Sequence, residues 1–207
     1  MPIRPQHSPK PTGKKLPPRG VVLCGGRSRR MGQDKGSLIY QGKRWYQYPK
    51  AVLSQLRLPC SISVRHAQLP LYRHWEPLPA LCVDTLPEIG PLGGILSVHK
   101  RYPYQDLLVL ACDMLFMQEE TLRILLKAKE NQPDAGAWVF GTAAEPEPLA
   151  ALYSHRSLRQ ALSTLEAGGL QDFSLRRFIA TNRPCYLPIS PAMRPQFRNW
   201  NEPGSIR

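Results

Sequence analysis

The feature that most constrains the fold is the alternation of short apolar segments with longer amphipathic ones. Runs rich in aliphatic residues predict buried strands at residues 20–24, 60–65, 80–83, 106–112 and 135–141. The segments around them have helical spacing, at residues 45–57, 92–101, 118–130 and 157–167. Parallel strands need long crossover connections, which helices commonly supply. The sequence therefore predicts an α/β fold, a mostly parallel sheet with helices on both faces in three layers.

Composition separates the first 19 residues from the rest of the chain. They hold five basic residues, six prolines and no acidic residue. Because such a segment cannot bury an apolar face, residues 1–19 are predicted to form a disordered basic arm. Residues 20–207 have the length of a single domain. The five cysteines are widely spaced and form no CxxC pair, which favours free thiols in a reducing compartment, the cytoplasm.

The chain is strongly basic, with 28 Lys and Arg residues against 15 Asp and Glu and a net charge of +13. This charge favours anionic partners, among them nucleic acids, membrane surfaces, nucleotides and phosphorylated metabolites. No apolar run approaches the length that spans a bilayer. A nucleic-acid-binding module is the weaker interpretation, because the sequence contains no helix-turn-helix, zinc-finger or aromatic RNA-binding motif.

The segment after the first predicted strand, residues 24–35, combines glycine with positive charge. Ligands of open parallel sheets bind at the carboxyl ends of the strands, where this segment lies. Its glycines can present backbone N–H groups to an anion, and its Arg and Lys side chains supply charge suited to a triphosphate. It is neither a GxGxxG nor a Walker A motif. Composition alone leaves phosphate binding and an ordinary surface turn open.

The order of residues in this segment is more specific than its composition. It resembles LxGGxSxRMGxDK, the opening motif of the molybdopterin-type nucleotidyltransferases, and in particular of their molybdenum cofactor guanylyltransferase branch. The fixed positions are all filled, by Leu23, Gly25, Gly26, Ser28, Arg30, Met31, Gly32, Asp34 and Lys35. The resemblance implies a Rossmann-like nucleotidyltransferase fold of the GT-A type. The nucleotide contacts that it implies here are Leu23, Cys24, Gly25, Gly26 and Lys35, with Cys24 standing where alanine is commoner.

Two further loops carry carboxylates. Asp84 follows predicted strand 80–83 and precedes a GPLGG segment at residues 90–94. By itself Asp84 could equally form a turn or a helix cap, but the resemblance implies a contact with the guanosine part of GTP. Asp113 ends predicted strand 106–112, where an ionised carboxylate needs a metal ion or a salt bridge. The resemblance implies that Asp113 holds Mg²⁺ and contacts the nucleotide.

Weaker similarities lie nearer the carboxyl terminus. Residues 174–178 and 199–203 resemble a basic helix and an NxNxP ending, with which the family binds its pterin substrate. The implied substrate contacts are Arg176, Arg177, Asn199 and Asn201, although such residues more often form a solvated helix face or a turn. The chain departs from the family at Val64-Arg65-His66, where many members have an asparagine that helps to hold guanine.

The activity that the resemblance implies is transfer of GMP from GTP to molybdenum-bound molybdopterin, with release of pyrophosphate. Lys35 and Arg30 would stabilise negative charge on the pyrophosphate, and Asp113 would hold Mg²⁺. GTP and molybdopterin are the expected partners, together with proteins of molybdenum-cofactor maturation or molybdoenzyme apoproteins. The alternatives are a related transferase that uses CTP or a sugar phosphate, and a degenerate member that acts only as a binding partner.

Overall fold

A computed structural model describes residues 16–25, 34–86 and 89–198. The strands are β1 (Arg19–Leu23), β2 (Ile39–Tyr40), β3 (Lys43–Arg44), β4 (Cys60–Val64), β5 (Leu81–Val83), β6 (Leu107–Ala111), β7 (Ala137–Gly141), β8 (Pro146–Tyr153) and β9 (Pro184–Leu187). The α-helices are α1 (Gln47–Gln55), α2 (Leu69–Tyr72), α3 (Pro91–Arg101), α4 (Glu119–Asn131), α5 (His155–Glu166) and α6 (Leu175–Thr181). Each predicted strand and helix is present, with its ends moved by a few residues.

The large sheet has the strand order β5-β4-β1-β6-β8-β7-β9. All neighbouring strands are parallel except β8, which is antiparallel to both β6 and β7. The tight turn from β7 into β8 includes Gly141 at φ 102°, and a Cβ there would lie 2.1 Å from the carbonyl oxygen of Glu145. The strands β2 and β3 form a separate small hairpin. The mostly parallel sheet of the sequence analysis is therefore confirmed.

Helices cover both faces of the sheet. Alternate residues of β1 point to opposite faces, so that Val21 packs with α3, α5 and α6 while Val22 packs with α1, α2 and α4. Pro49 does not interrupt α1, because it lies in the first turn, where its missing N–H costs no helical hydrogen bond. The two cores and the sheet between them make up the predicted three layers.

The predicted basic arm lies mostly outside the described residues, at positions 1–15. Its last residues are held against the domain: Gln105 donates from Nε2 to the carbonyl oxygen of Pro17 at 2.9 Å, and the Arg19 guanidinium stacks on the ring of Tyr102. The cysteines, all within the described ranges, are free thiols. Among the described residues, no helix has the length and apolar content needed to cross a bilayer.

An ion cluster ties helices to the amino end of β6. Asp106 accepts hydrogen bonds from the backbone N of His155 at 2.8 Å, from His155 Nδ1 at 2.6 Å and from Lys129 Nζ at 2.5 Å. Burial raises the pKa of Asp106, but these hydrogen bonds and the charge of Lys129 outweigh it and lower the pKa to about 2. Because His155 begins α5 and Lys129 lies on α4, one carboxylate fixes two helices against the sheet.

Acid is expected to destabilise the fold through His99 of α3. This side chain is 1% exposed, and burial, with smaller effects from Arg159 and His155 against the opposing charge of Asp106, lowers the pKa of His99 to about 4. Between pH 6.5 and 4 the imidazole of His99 binds a proton in the unfolded chain but stays neutral in the folded chain. Protonation therefore favours the unfolded state, and stability is lost as the pH falls from 6.5 towards 4. We expect the free energy of unfolding in urea to fall by about 2–3 kcal/mol across this range from His99 alone.

The matched control is His74→Gln, which changes an exposed histidine. His99→Gln should remove most of the loss between pH 6.5 and 4, whereas His74→Gln should leave it as in the natural chain. A pH dependence that is the same in both variants would contradict the assignment to His99.

Candidate functional site

The carboxyl ends of β1, β4, β5 and β6 meet at one edge of the sheet and enclose a pocket of about 220 Å³. The pocket brings together the described members of the predicted nucleotide site, which are Leu23, Cys24, Gly25, Lys35, Asp84 and Asp113. Gly26, Arg30, Asn199 and Asn201 lie outside the described residues. Parallel strands explain this convergence, because they place the loops after each strand at the same edge.

One end of the pocket is formed by an ion pair. Lys35 Nζ donates to Asp113 Oδ2 at 3.0 Å, and the side chains are 24% and 10% exposed. The second oxygen, Oδ1 of Asp113, is buried and has no hydrogen-bond partner within the described part of the chain. A buried carboxylate oxygen normally has a partner. Asp113 therefore has an unused ligand position beside an ammonium group.

The turn that carries Lys35 is fixed by its neighbours. Asp34 caps the short 3₁₀ turn of residues 35–37, because its Oδ1 accepts from the backbone N of Gly36 at 3.0 Å. The buried Tyr72 hydroxyl also donates to Asp34 at 3.3 Å. A Cβ on Gly36 would lie 2.1 Å from that hydroxyl, so only glycine fits. Asp34 thus has a structural role in positioning Lys35.

The opposite end of the pocket contains Asp84. Its Oδ1 accepts from the backbone N of Leu86 and from Ser97 Oγ, each at 3.0 Å, which fixes the carboxylate. Helix α3 begins beside it, and a Cβ on Gly93 would lie 3.3 Å from Asp84 Oδ2. A Cβ on Gly94 would approach Ser63 Oγ to 2.8 Å. The two glycines therefore let the first turn of α3 lie close against the pocket.

Two thiols form the pocket floor between these ends. Cys24 and Cys112 follow the paired strands β1 and β6, and the backbone N of Cys112 donates to the carbonyl oxygen of Leu23 at 3.1 Å. A hydrogen bond with Cys24, followed by burial, raises the pKa of Cys112 well above its usual value. A neutral buried thiol is a poor nucleophile, so Cys112 has a packing role.

The predicted substrate residues Arg176 and Arg177 lie on the exposed side of α6 and not in the pocket lining. Burial raises the pKa of Glu147 on β8, and the positive charge of Arg176 opposes the rise. Arg176 is therefore close to Glu147, two residues along β8 from Leu149, which lines the pocket. The structure brings neither Arg176 nor Arg177 into the pocket lining.

Sequence reasoning missed Ser63 and Leu149 as lining residues and Ser97 as the partner of Asp84. Strand β4 contains two serines, Ser61 and Ser63, so its polar residues were a signal that did not single out Ser63. Leu149 gave no such signal, because it reaches the pocket only through the antiparallel pairing of β8.

The pocket offers few protein ligands for a metal ion. The ranges that the structure describes contain no group of three or more His, Cys, Asp or Glu side chains placed to hold one. Mg²⁺ commonly binds through one or two carboxylates and completes its shell with water and substrate phosphates. The unpartnered Oδ1 of Asp113 fits such a site.

Comparisons with known proteins agree with this geometry. Residues 20–185 match the MobA-like NTP transferase domain. The chain is 31% identical over 186 residues to a molybdenum cofactor guanylyltransferase of Xanthomonas euvesicatoria pv. vesicatoria, and the alignment covers 89% of each chain. It is 33% identical over 143 residues to a molybdenum cofactor biosynthesis bifunctional protein of Synechocystis sp.. That match covers 68% of this chain but spans only 40% of the bifunctional protein.

Solved structures with low sequence identity share the fold. The molybdopterin-guanine dinucleotide biosynthesis protein A of Archaeoglobus fulgidus superposes with a TM-score of 0.69 at 20% identity, covering 90% of this chain and 93% of that chain. The 4-diphosphocytidyl-2C-methyl-D-erythritol synthase of Anaerococcus prevotii superposes with a TM-score of 0.63 at 8% identity, covering 91% and 93%. The predicted nucleotidyltransferase fold is confirmed.

Proposed function

The chain belongs to the family of MobA-like NTP transferase domains and is a nucleotidyltransferase, and we propose that it transfers GMP from GTP to molybdenum-bound molybdopterin. The observation that carries the proposal is the pocket itself, with the Lys35–Asp113 pair at one end and the fixed carboxylate of Asp84 at the other. The ammonium group of Lys35 can contact a triphosphate, and the carboxylate of Asp84 can accept from the hydrogen-bond donors of a nucleoside. The named activities of the relatives support the same assignment.

In the proposed reaction an oxygen of the acceptor's phosphate attacks the α-phosphorus of GTP. A new P–O bond forms there, and the bond between the α-phosphorus and its bridging oxygen to the β-phosphate breaks, which releases pyrophosphate. The attacking phosphate is already anionic, so no general base is required. The work of the protein is positioning and charge neutralisation. Lys35 would stabilise the charge that develops on pyrophosphate, and Gly25 lines the same pocket.

We also propose that the reaction uses Mg²⁺, and that Oδ1 of Asp113, which has no hydrogen-bond partner among the described residues, would hold the ion. A bound Mg²⁺ would neutralise phosphate charge and polarise the α-phosphorus. Lys35 is already placed at 3.0 Å from the other oxygen of Asp113, so that lysine and metal would share one carboxylate.

The acceptor side of the proposal rests on the resemblance. Arg176 and Arg177, neighbours on α6, would meet the anionic pterin phosphate, with Asn199 and Asn201. Arg30 and Gly26 would complete the phosphate contacts. We also propose the cytoplasm as the setting, supported by the free thiols, with maturation proteins or molybdoenzyme apoproteins as recipients of the product.

Calorimetric titration with GTP, ATP and CTP tests the nucleotide assignment. We expect GTP to bind with a dissociation constant on the order of micromolar and to bind more weakly when EDTA removes Mg²⁺, because the phosphates then lose a cation. ATP and CTP should bind at least about tenfold more weakly. Preference for CTP would move the chain to a cytidylyl transferase, and the absence of nucleotide binding would contradict the proposal.

A further inference from the structure

Gln68 is buried against Cys24, which lines the nucleotide pocket, but Gln68 does not itself line the pocket. It ends the 3₁₀ turn of residues 66–68 that follows β4, directly before α2. Its Oε1 accepts from the backbone N of Arg65 at 2.7 Å, and its Nε2 donates to the carbonyl oxygen of Cys24 at 2.9 Å. The amide of Gln68 therefore joins the chain after β4 to the residue that follows β1.

The same amide also bonds to Asp34. Burial raises the pKa of Asp34, and hydrogen bonds with a backbone N–H, with Tyr72 and with Gln68 oppose the rise. A side-chain amide nitrogen carries two hydrogens, so Gln68 can donate to Cys24 and to Asp34 at the same time. One side chain thus holds both ends of the glycine- and arginine-rich segment at residues 24–35.

Tyr72 supports this arrangement from one helical turn away. Its fully buried hydroxyl donates to Asp34 Oδ1 at 3.3 Å. Burial raises the pKa of Tyr72, and the neighbouring Cys24 and Asp34 raise it further, so the hydroxyl stays protonated and remains a donor. Side chains four positions apart lie on the same side of a helix, which is why Gln68 and Tyr72 contact the same two residues.

These contacts matter because Gly25 and Lys35, which both line the pocket, directly follow the two residues that are held. Among the described residues, no backbone hydrogen bond joins positions 24–25 to positions 34–37. The link between these two stretches is made by side chains. Lys35 must also reach Asp113, 3.0 Å away. A shift of either stretch would therefore move the ammonium group relative to both Gly25 and the carboxylate.

We propose that Gln68 is a positioning residue for the transfer reaction. By bonding to Cys24 and Asp34, it fixes the separation of the two stretches and so places Lys35 against the phosphates. The inference rests on the proposed function. Replacing Gln68 leaves the charge of Lys35 in the pocket, so GTP should still bind. Transfer is more demanding, because a misplacement of about 1 Å costs on the order of a hundredfold in rate.

The test compares Gln68→Met with the natural chain. Methionine is similar in size to glutamine but has no N–H to donate. We expect the rate of pyrophosphate release at saturating GTP and pterin acceptor to fall by about ten- to a hundredfold, and the calorimetric dissociation constant of GTP to change by less than about threefold. The matched control is Gln160→Met, which changes an exposed glutamine on α5 and should alter neither value.

A double-mutant cycle tests whether Gln68 acts through Lys35. If it does, Gln68→Met has nothing left to misplace in a chain that already carries Lys35→Met. We expect the second substitution to lower the rate by less than about twofold in that background. A merely structural role would give the full loss in both backgrounds, and such additive losses would overturn the inference.

The remaining outcomes separate this inference from the proposed function. If the natural chain neither binds GTP nor transfers GMP, the proposed function fails and the inference with it. If the natural chain transfers GMP and Gln68→Met keeps its rate, or weakens GTP binding as much as it lowers the rate, the function stands and the inference is overturned. Should Gln68→Met lose cooperative thermal unfolding, Gln68→Asn decides by the same comparison of rate with affinity, because its amide is one methylene too short to reach both partners.

Discussion

Asp113→Asn is expected to lower the rate of pyrophosphate release by on the order of a thousandfold. The amide keeps the size of the side chain but has no charge, so it neither balances Lys35, 3.0 Å away, nor offers the anionic oxygen that Mg²⁺ prefers. Because the two side chains are only 24% and 10% exposed, the loss of the pair is also expected to lower the thermal midpoint, so the rate is measured at a temperature at which the variant is fully folded. Single-turnover assays with GTP and the pterin acceptor measure the rate, and circular dichroism measures the midpoint.

Asp134→Asn is the matched control for this substitution. Its carboxylate is 83% exposed and lies 3.8 Å from Arg156, so its loss should change neither rate nor stability measurably. In addition, GTP binding by Asp113→Asn should no longer respond to EDTA. A variant that retains more than about a tenth of the natural rate would remove Asp113 from the proposed chemistry.

The parts of the fold that could be predicted are those that local pattern determines. Strands β1 and β6 are buried on both faces, so each reads as a continuous apolar run, and α4 has a clear helical period. Strand β8 gave no comparable signal. It begins with Pro146 and contains Pro148, and proline removes ladder donors. Its place between β6 and β7 depends on tertiary pairing that no local pattern records.

For the site, too, the parts that local pattern determines could be predicted and the contacts between elements could not. Parallel topology alone predicts that the loops after β1, β5 and β6 converge, and the pocket contains residues from all three. The sequence could not predict that Lys35 pairs with Asp113, 78 positions away, or that Asp84 is held by Ser97. Nor does it indicate that Nε of Arg65 is buried without a partner in the described part of the chain. These contacts join side chains from different strands and helices. The spacing of apolar residues along the sequence predicts single elements and gives no information on such contacts.

Lys35→Met is expected to weaken GTP binding and to lower turnover together, each by on the order of a hundredfold. Methionine keeps the apolar stem of the side chain, so the substitution tests the charge alone. Without the ammonium group, the triphosphate loses a fixed cation, and Asp113 loses the partner that donates to Oδ2. Because Lys35 would contact the phosphates both in the bound state and during transfer, its loss should raise KM and lower kcat. Asp113→Asn should also weaken GTP binding, down to the affinity that the natural chain shows in EDTA, but Lys35→Met should keep its response to EDTA.

Two comparisons make this expectation specific. Lys43→Met changes an exposed lysine on the β2–β3 hairpin and should leave KM and kcat unchanged. Lys35→Arg restores the charge but not the compact ammonium geometry, and should recover binding more than turnover, because the transition state demands closer alignment than the ground state. If Lys35→Met kept natural affinity and lost only turnover, the lysine would act on the leaving group alone. If both parameters were unchanged, the phosphates would have to lie elsewhere in the pocket.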